Sequence, residues 1–235
     1  MSESTCDVLV VAAHPDDEAL GCGGTIARHA LDGDRVHVVI AAEGITSRQN
    51  ERRAAAAASE LSALHAAALR ANEILGATVE VWDLPDNRLD SLDRLVLIKR
   101  IEAVVAQRTP QIVYTHHCGD VNIDHRRIHE AVITACRPMP GHCVTRLLFF
   151  ETVSSTEWQP PGSAPVFAPN WFVDIAHTLH LKLHALDAYA SEMRPWPHSR
   201  STDAVSHLAK WRGASVGSQA AEAFMLGRCI QRAAP

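Results

Sequence analysis

From Val8 to Ala13 the chain is an unbroken apolar, β-branched run, the pattern of a strand buried on both faces. It stops at His14 and Pro15 and gives way to three consecutive acids, Asp16, Asp17 and Glu18. From Glu18 to Leu31 the spacing turns helical, and Asp32, Gly33 and Asp34 close the segment. Val36 to Ala42 predicts a second buried strand, followed by the polar loop EGITSRQN. The alanine-rich stretch from Glu51 to Leu75 predicts a long helix stopped by Gly76. Short strands are expected at Val79–Trp82 and Ile112–Thr115, with a helix over about Leu92–Gln107 between them. A helix over about His125–Cys136 and a strand over Val144–Phe150 follow. Strand and helix alternating in this way predict an α/β fold with a mostly parallel sheet and helices on both faces.

The last third reads differently. Residues 158–171, WQPPGSAPVFAPNW, are rich in proline and aromatics and predict an irregular flap, with helices expected over Ile175–Tyr189 and Thr202–Trp211. No repeat or linker interrupts the pattern, so one domain spanning 1–235 is expected. In parallel sheets of this kind ligands bind outside the carboxyl ends of the strands. The acids after the first strand and the cluster THHCGDVNIDH after the Ile112 strand therefore converge on one edge.

Three readings compete for AHPDDEALGCGG. A helix N-terminus favours acids and tolerates Pro15, but it does not explain His14 at the end of a buried strand. A dinucleotide-binding turn needs glycine at position 26, where Ile26 stands, and bare backbone N–H groups where Asp16 and Asp17 stand. A metal site accounts for more. His14 and Asp17 are close enough across a tight turn to grip one ion, and His125 at another strand end is placed to be the third ligand. Two neutral imidazoles and one carboxylate leave a divalent ion with net positive charge, which acidifies a coordinated water toward about pH 7. Asp16 is then free to act as general base, and Glu18 orients or caps.

Composition narrows the partners. With 47% hydrophobic residues in 235, the chain can bury a sizeable core, and a net charge of -5 without basic clusters argues against nucleic acid. Six cysteines without a CxxC pair, the lack of a basic n-region at the start, and the lack of an apolar run of membrane length lead us to expect a cytoplasmic protein with reduced thiols and no membrane insertion. No GxSxG elbow is present. His125 and His129 form HxxxH, but Arg126 occupies the place where zinc proteases carry glutamate, so His129 is expected to pack. Asp124 either supports a ligand histidine or caps a helix. His177, His180 and His184 are expected on a partly exposed helix face. His198 sits in a loop able to enter a site, and Arg194 and Arg200 face either a substrate phosphate or solvent. Trp158, Trp171 and Trp196 suit stacking on a sugar, or packing in the core or in a homo-oligomer.

AHPDDE at 13–18 resembles the signature of the LmbE/PIG-L family of zinc-dependent N-deacetylases, and GDVNIDH at 119–125 resembles the second motif of one branch. SSTEW, PNWFVDI, SEMRPWPHSRS and AEAF extend the resemblance through most of the chain. The resemblance implies a Rossmann-like fold and hydrolysis of an N-acetyl group on an N-acetylglucosamine-type sugar. It implies His14, Asp17 and His125 as metal ligands and Asp16 as general base. It implies zinc as the cofactor, with iron(II) able to use the same ligands. A substrate arginine falls at Arg48 or Arg52, and Asp86 in LPDNR matches a sugar-contacting aspartate. Where several members carry a histidine in the second motif, this chain has Asn122, which can donate to an oxyanion but supplies no proton near neutral pH. The acid role then falls to His116, His117 or His198 beside the substrate, or to Asp16 once protonated. The alternatives are an amidase of the same family acting on a larger acyl or thiol conjugate, and a sugar-binding protein that keeps the metal without turnover.

Overall fold

The computed structural model describes residues 5–48 and 58–231. Among them, seven strands form one sheet: β1 (Asp7–Ala12), β2 (Arg35–Ala42), β3 (Thr78–Leu84), β4 (Ile112–His116), β5 (Arg146–Phe150), β6 (Trp171–Asp174) and β7 (Ala221–Cys229), in the order β3-β2-β1-β4-β5-β7-β6. β1 to β5 run parallel, and β7 is antiparallel to both of its neighbours. The helices are α1 (Asp17–Leu31), α2 (Ala58–Leu75), α3 (Arg94–Arg108), α4 (Ile123–Ala135), α5 (Leu179–Ala188) and α6 (Thr202–Ala214). The fold is Rossmann-like α/β.

Alternation along the strands builds two cores. Val8, Val10, Val38, Ile40 and Tyr114 face α1, α2 and α5, while Leu9, Val11, Val39 and Val113 face α3 and α4. Val8 pairs with Val36 on one side and Ile112 on the other, so β1 lies at the centre of the parallel block. The strand order reverses between β1 and β4, and the crevice at their carboxyl ends is the topological switch point.

The glycines after the acids lie inside α1 and serve packing. A Cβ on Gly21 would come within 2.3 Å of the Phe150 ring, and one on Gly24 within 2.7 Å of Ile175. The helix is interrupted at Cys22 (φ -147°, ψ 23°), and Glu222 of β7 accepts from the backbone N–H groups of Gly24 (3.0 Å) and Thr25 (2.7 Å). Lys182 of α5 neutralises that buried carboxylate at 2.5 Å and also donates to Leu20 O. Lys182→Met is therefore expected to cost about 3–5 kcal/mol in denaturant unfolding, because it strands a buried anion. A loss near zero would show that Glu222 is held by the backbone alone.

Three elements depart from expectation. The flap segment is irregular only through Asn170, because Trp171 opens the short edge strand β6. β7 was not anticipated. It alternates only in part, and an antiparallel strand entering a parallel sheet late in the chain gives no local signal. The helix expected from Ile175 begins at Leu179, after a turn in which Thr178 N–H bonds to Ile175 O. Residues 51–57 of the expected long helix lie outside the described residues.

Candidate metal centre and active site

β1 ends in a turn closed by Asp17 N–H to His14 O at 3.2 Å, with Asp16 held at φ 106°. A positive φ on a non-glycine residue costs about 1–3 kcal/mol and persists only where its surroundings enforce it. The turn brings His14 Nδ1 to 3.2 Å from Asp17 Oδ2. α4 delivers His125 from across the switch point, its Nε2 also 3.2 Å from Asp17 Oδ2. Donor atoms of His14, Asp17 and His125 all lie within 4.8 Å of one another. Asp17 Oδ1 and His125 Nε2 are buried without a hydrogen-bond partner, as is Asp16 Oδ1. Buried orphans of this kind are rare and call for a group that satisfies them. A divalent cation fits: the donor set is two imidazoles and a carboxylate.

Carboxylates behind the histidines fix their orientation. His14 Nε2 meets Asp124 Oδ2 at 3.1 Å, and the other oxygen of Asp124 accepts from Leu89 N–H. His125 Nδ1 lies 3.2 Å from Asp120 Oδ2. Asp120 in turn accepts from Ser155 Oγ, Thr156 Oγ1 and Asn122 N–H. Such partners set the ring a metal meets and raise its basicity. Asp120 was not singled out from the sequence, although it stands inside GDVNIDH. Its signal was a carboxylate five residues before a candidate ligand, but only the fold shows that it reaches back.

The cavity over this turn measures about 180 Å³ and is lined by His14, Asp16, Ser47, Asp86, Asn122 and Arg200, among others. Arg200 Nη1 donates to Asp16 Oδ2 at 2.6 Å and its Nε to Ser154 Oγ at 2.7 Å, so this arginine faces the expected base instead of solvent. Asp86 accepts from Ser47 N–H and lies 3.3 Å from His14 Nε2. Asn122 caps α4 through Asp124 N–H and donates from Nδ2 to Asn87. Glu18 is wholly buried and accepts from Asp16 N–H, Asn72 Nδ2 and Tyr189 OH, bracing the turn from below.

Three histidines fall elsewhere. His116 lies beneath the site: its Nε2 accepts from Ala13 N–H and its ring stacks on His125 at 3.9 Å. His117 is turned to Pro165 O at 2.9 Å and pins the proline-rich segment beside a separate cavity. His198 Nδ1 accepts from Arg200 N–H, so it shapes the loop that presents Arg200. Each was expected near the substrate, and none lines the cavity over the turn. His129 packs on Phe149 and bonds to His116 O. The backbone of Arg48 closes the 3-10 turn Thr46–Arg48, whereas its side chain and the whole of Arg52 lie outside the described residues.

The electrostatics suit a cation. Burial opposes a charged imidazole at His125, yet Asp17 and Asp120 outweigh it and push its pKa up to about 9. His14 is likewise raised against burial by Asp124 and Asp17. Against its own burial, Asp17 is held well below the usual carboxylate range by His125 and His116. Burial raises Asp16 well above that range despite Arg200, and it pushes Glu18 up to about 7. Below about pH 9 the metal-free site therefore keeps a proton on His125 that a metal must displace. Metal affinity is expected to rise with pH toward that value, by at least about tenfold per unit. Competition with a chelator at several pH values measures this, and a flat profile would contradict it.

The profile of the PIG-L family, described as GlcNAc-PI de-N-acetylase, matches residues 9–136. The 1D-myo-inositol 2-acetamido-2-deoxy-alpha-D-glucopyranoside deacetylase of Actinosynnema mirum is 30% identical, over 80% of this chain and 81% of its own. The N,N'-diacetylchitobiose deacetylase of Pyrococcus horikoshii superposes with a TM-score of 0.75 at 19% identity, covering 96% of this chain and 85% of that one. The 4-carboxy-2-hydroxymuconate hydratase of Pseudomonas putida superposes at 0.74 with 25% identity, over 98% of this chain and 100% of that one. No described helix is long and apolar enough to cross a membrane. With its His-Asp-His cluster at the switch point and its match to the family profile, the chain belongs to the PIG-L family of de-N-acetylases.

Proposed function

We propose that this protein is a zinc-dependent hydrolase that removes the acetyl group from an N-acetylglucosamine-type amino sugar. The observation that carries the proposal is the convergence of His14, Asp17 and His125 beside Asp16, an uncoordinated carboxylate with one buried oxygen free. A zinc ion on these ligands would polarise the amide carbonyl and acidify the attacking water.

The chain's own residues carry the remaining steps. Asp16, raised by burial and held by Arg200, takes a proton from the water as its oxygen forms a bond to the carbonyl carbon. As the C–N bond breaks, the same carboxyl returns that proton to the departing nitrogen, giving the amine and acetic acid, which part as ammonium and acetate. Asp16 thereby also fills the acid role that Asn122, which supplies no proton near neutral pH, cannot. Asn122 contributes a hydrogen-bond donor, and Asp86, Asn87 and Ser47 offer partners to sugar hydroxyls. At about 180 Å³ the cavity is smaller than the ~300 Å³ at which sites for drug-sized ligands begin, which favours a small acyl group over a long one.

The whole-length likeness to a hydratase supports a second reading, in which water adds across a carbon–carbon double bond of an unsaturated tricarboxylate. Such a substrate needs cations. Among the described residues lining the cavity Arg200 is the one guanidinium or ammonium, and it is paired with Asp16. That pairing favours the amino sugar. The test is acetate release by the zinc-loaded enzyme over a panel of N-acetylglucosaminides, beside the absorbance of a conjugated tricarboxylate. Acetate with no absorbance change is expected. Hydration without acetate would overturn the deacetylase reading.

A further inference from the structure

We infer that a second cleft, at the opposite edge of the sheet from the metal centre, binds a small organic carboxylate. It opens where β1, β4 and β5 begin, between the end of α1 and the edge strand β6, and its volume is about 500 Å³. β1 spans six residues between the two sites, a separation of roughly 20 Å. The volume falls in the ordinary range of small-molecule sites.

Its polar inventory is unbalanced. Asp34 is spent, accepting from Cys6 N–H at 2.8 Å and from His29 at 2.7 Å. His29 is in turn engaged by Tyr114 OH on its other nitrogen. Asp32, on the rim, faces Arg28 at 3.6 Å. Two groups lining the cleft remain unmatched. Thr25, 1% exposed, has a buried hydroxyl with no partner, and Arg146 has a buried Nε with none. Among the described residues no carboxylate forms an ion pair with Arg146, and its guanidinium lies 5.0 Å from the centre of the Trp171 ring.

Arg146 itself is half-buried, but a buried guanidinium N–H and a buried hydroxyl left without partners are costly, and an anion that accepts from them relieves both. A guanidinium and a hydroxyl lining one cleft call for an acceptor of single charge, which a carboxylate meets better than phosphate. Ile112, Tyr114, Trp171 and Val173 supply an apolar wall for an organic body behind the carboxylate. Nothing in this assignment depends on the reaction at the metal centre.

Benzoate is a suitable probe, with binding to the metal-loaded protein measured by calorimetry and by fluorine NMR of 4-fluorobenzoate. Saturable one-to-one binding is expected. It should weaken at least about tenfold in Arg146→Met and severalfold in the near-isosteric Thr25→Val, while Asp16→Asn binds as the parent does. Thr25→Val keeps the test decisive if Arg146→Met fails to fold. No saturable binding up to the solubility limit of benzoate would overturn the inference. So would equal affinity in either cleft variant, or loss of binding in Asp16→Asn.

Discussion

Asp17→Ala is expected to carry no stoichiometric metal and to release no measurable acetate. Asp17 is the carboxylate around which the site is organised: its Oδ2 lies 3.2 Å from both His14 Nδ1 and His125 Nε2, and it accepts from His14 N–H at 2.8 Å. Removing it leaves two imidazoles, too few donors for a catalytic site, and withdraws the charge that neutralises them. Changes to residues behind the ligands commonly cost 10–100-fold, roughly, so loss of a ligand is expected to exceed about a thousandfold in kcat/KM. Metal analysis of the purified variant decides the matter. A full equivalent of tightly held zinc in Asp17→Ala would remove the proposed centre.

Asp16→Asn separates binding from chemistry. Asparagine tolerates positive φ better than most residues, so the turn at φ 106° should survive where alanine would strain it. It keeps a hydrogen-bond acceptor for Arg200 but cannot take or return a proton. The expected outcome is normal metal content, KM changed little, and kcat reduced by about 10²–10⁴-fold. Unimpaired kcat would assign the proton transfers to another group. Lost metal would mean that Asp16 is a ligand and not the base.

Much of the fold was legible because its parallel half is periodic. Val8–Ala13 is apolar on both faces, and Val36–Ala42 is so apart from His37, which marks both as buried strands. The clustering of His14, Asp17 and His125 was legible for a related reason: His14 and Asp17 share one turn, and His125 follows the next strand in space. What the sequence concealed depends on side chains reaching far along the chain. Arg200 meets Asp16 across 184 positions, and Tyr189 meets Glu18 across 171. His116 and His117 are adjacent and equally polar, yet one lies under the metal site and the other faces Pro165. Successive side chains on extended backbone point to opposite sides, which separates them, and composition carries no trace of that.

The family match ends at residue 136, but the parts that hold the reactive turn in place do not. Glu222 enters from the late antiparallel strand to cap the broken first helix, and Ser155, Tyr189 and Arg200 brace the acids from behind. The smallest unit that keeps these contacts thus reaches at least to Glu222. Transplanting specificity between relatives would require the C-terminal third to travel as one block with the opening signature, since each half contains atoms that the other was shaped to satisfy.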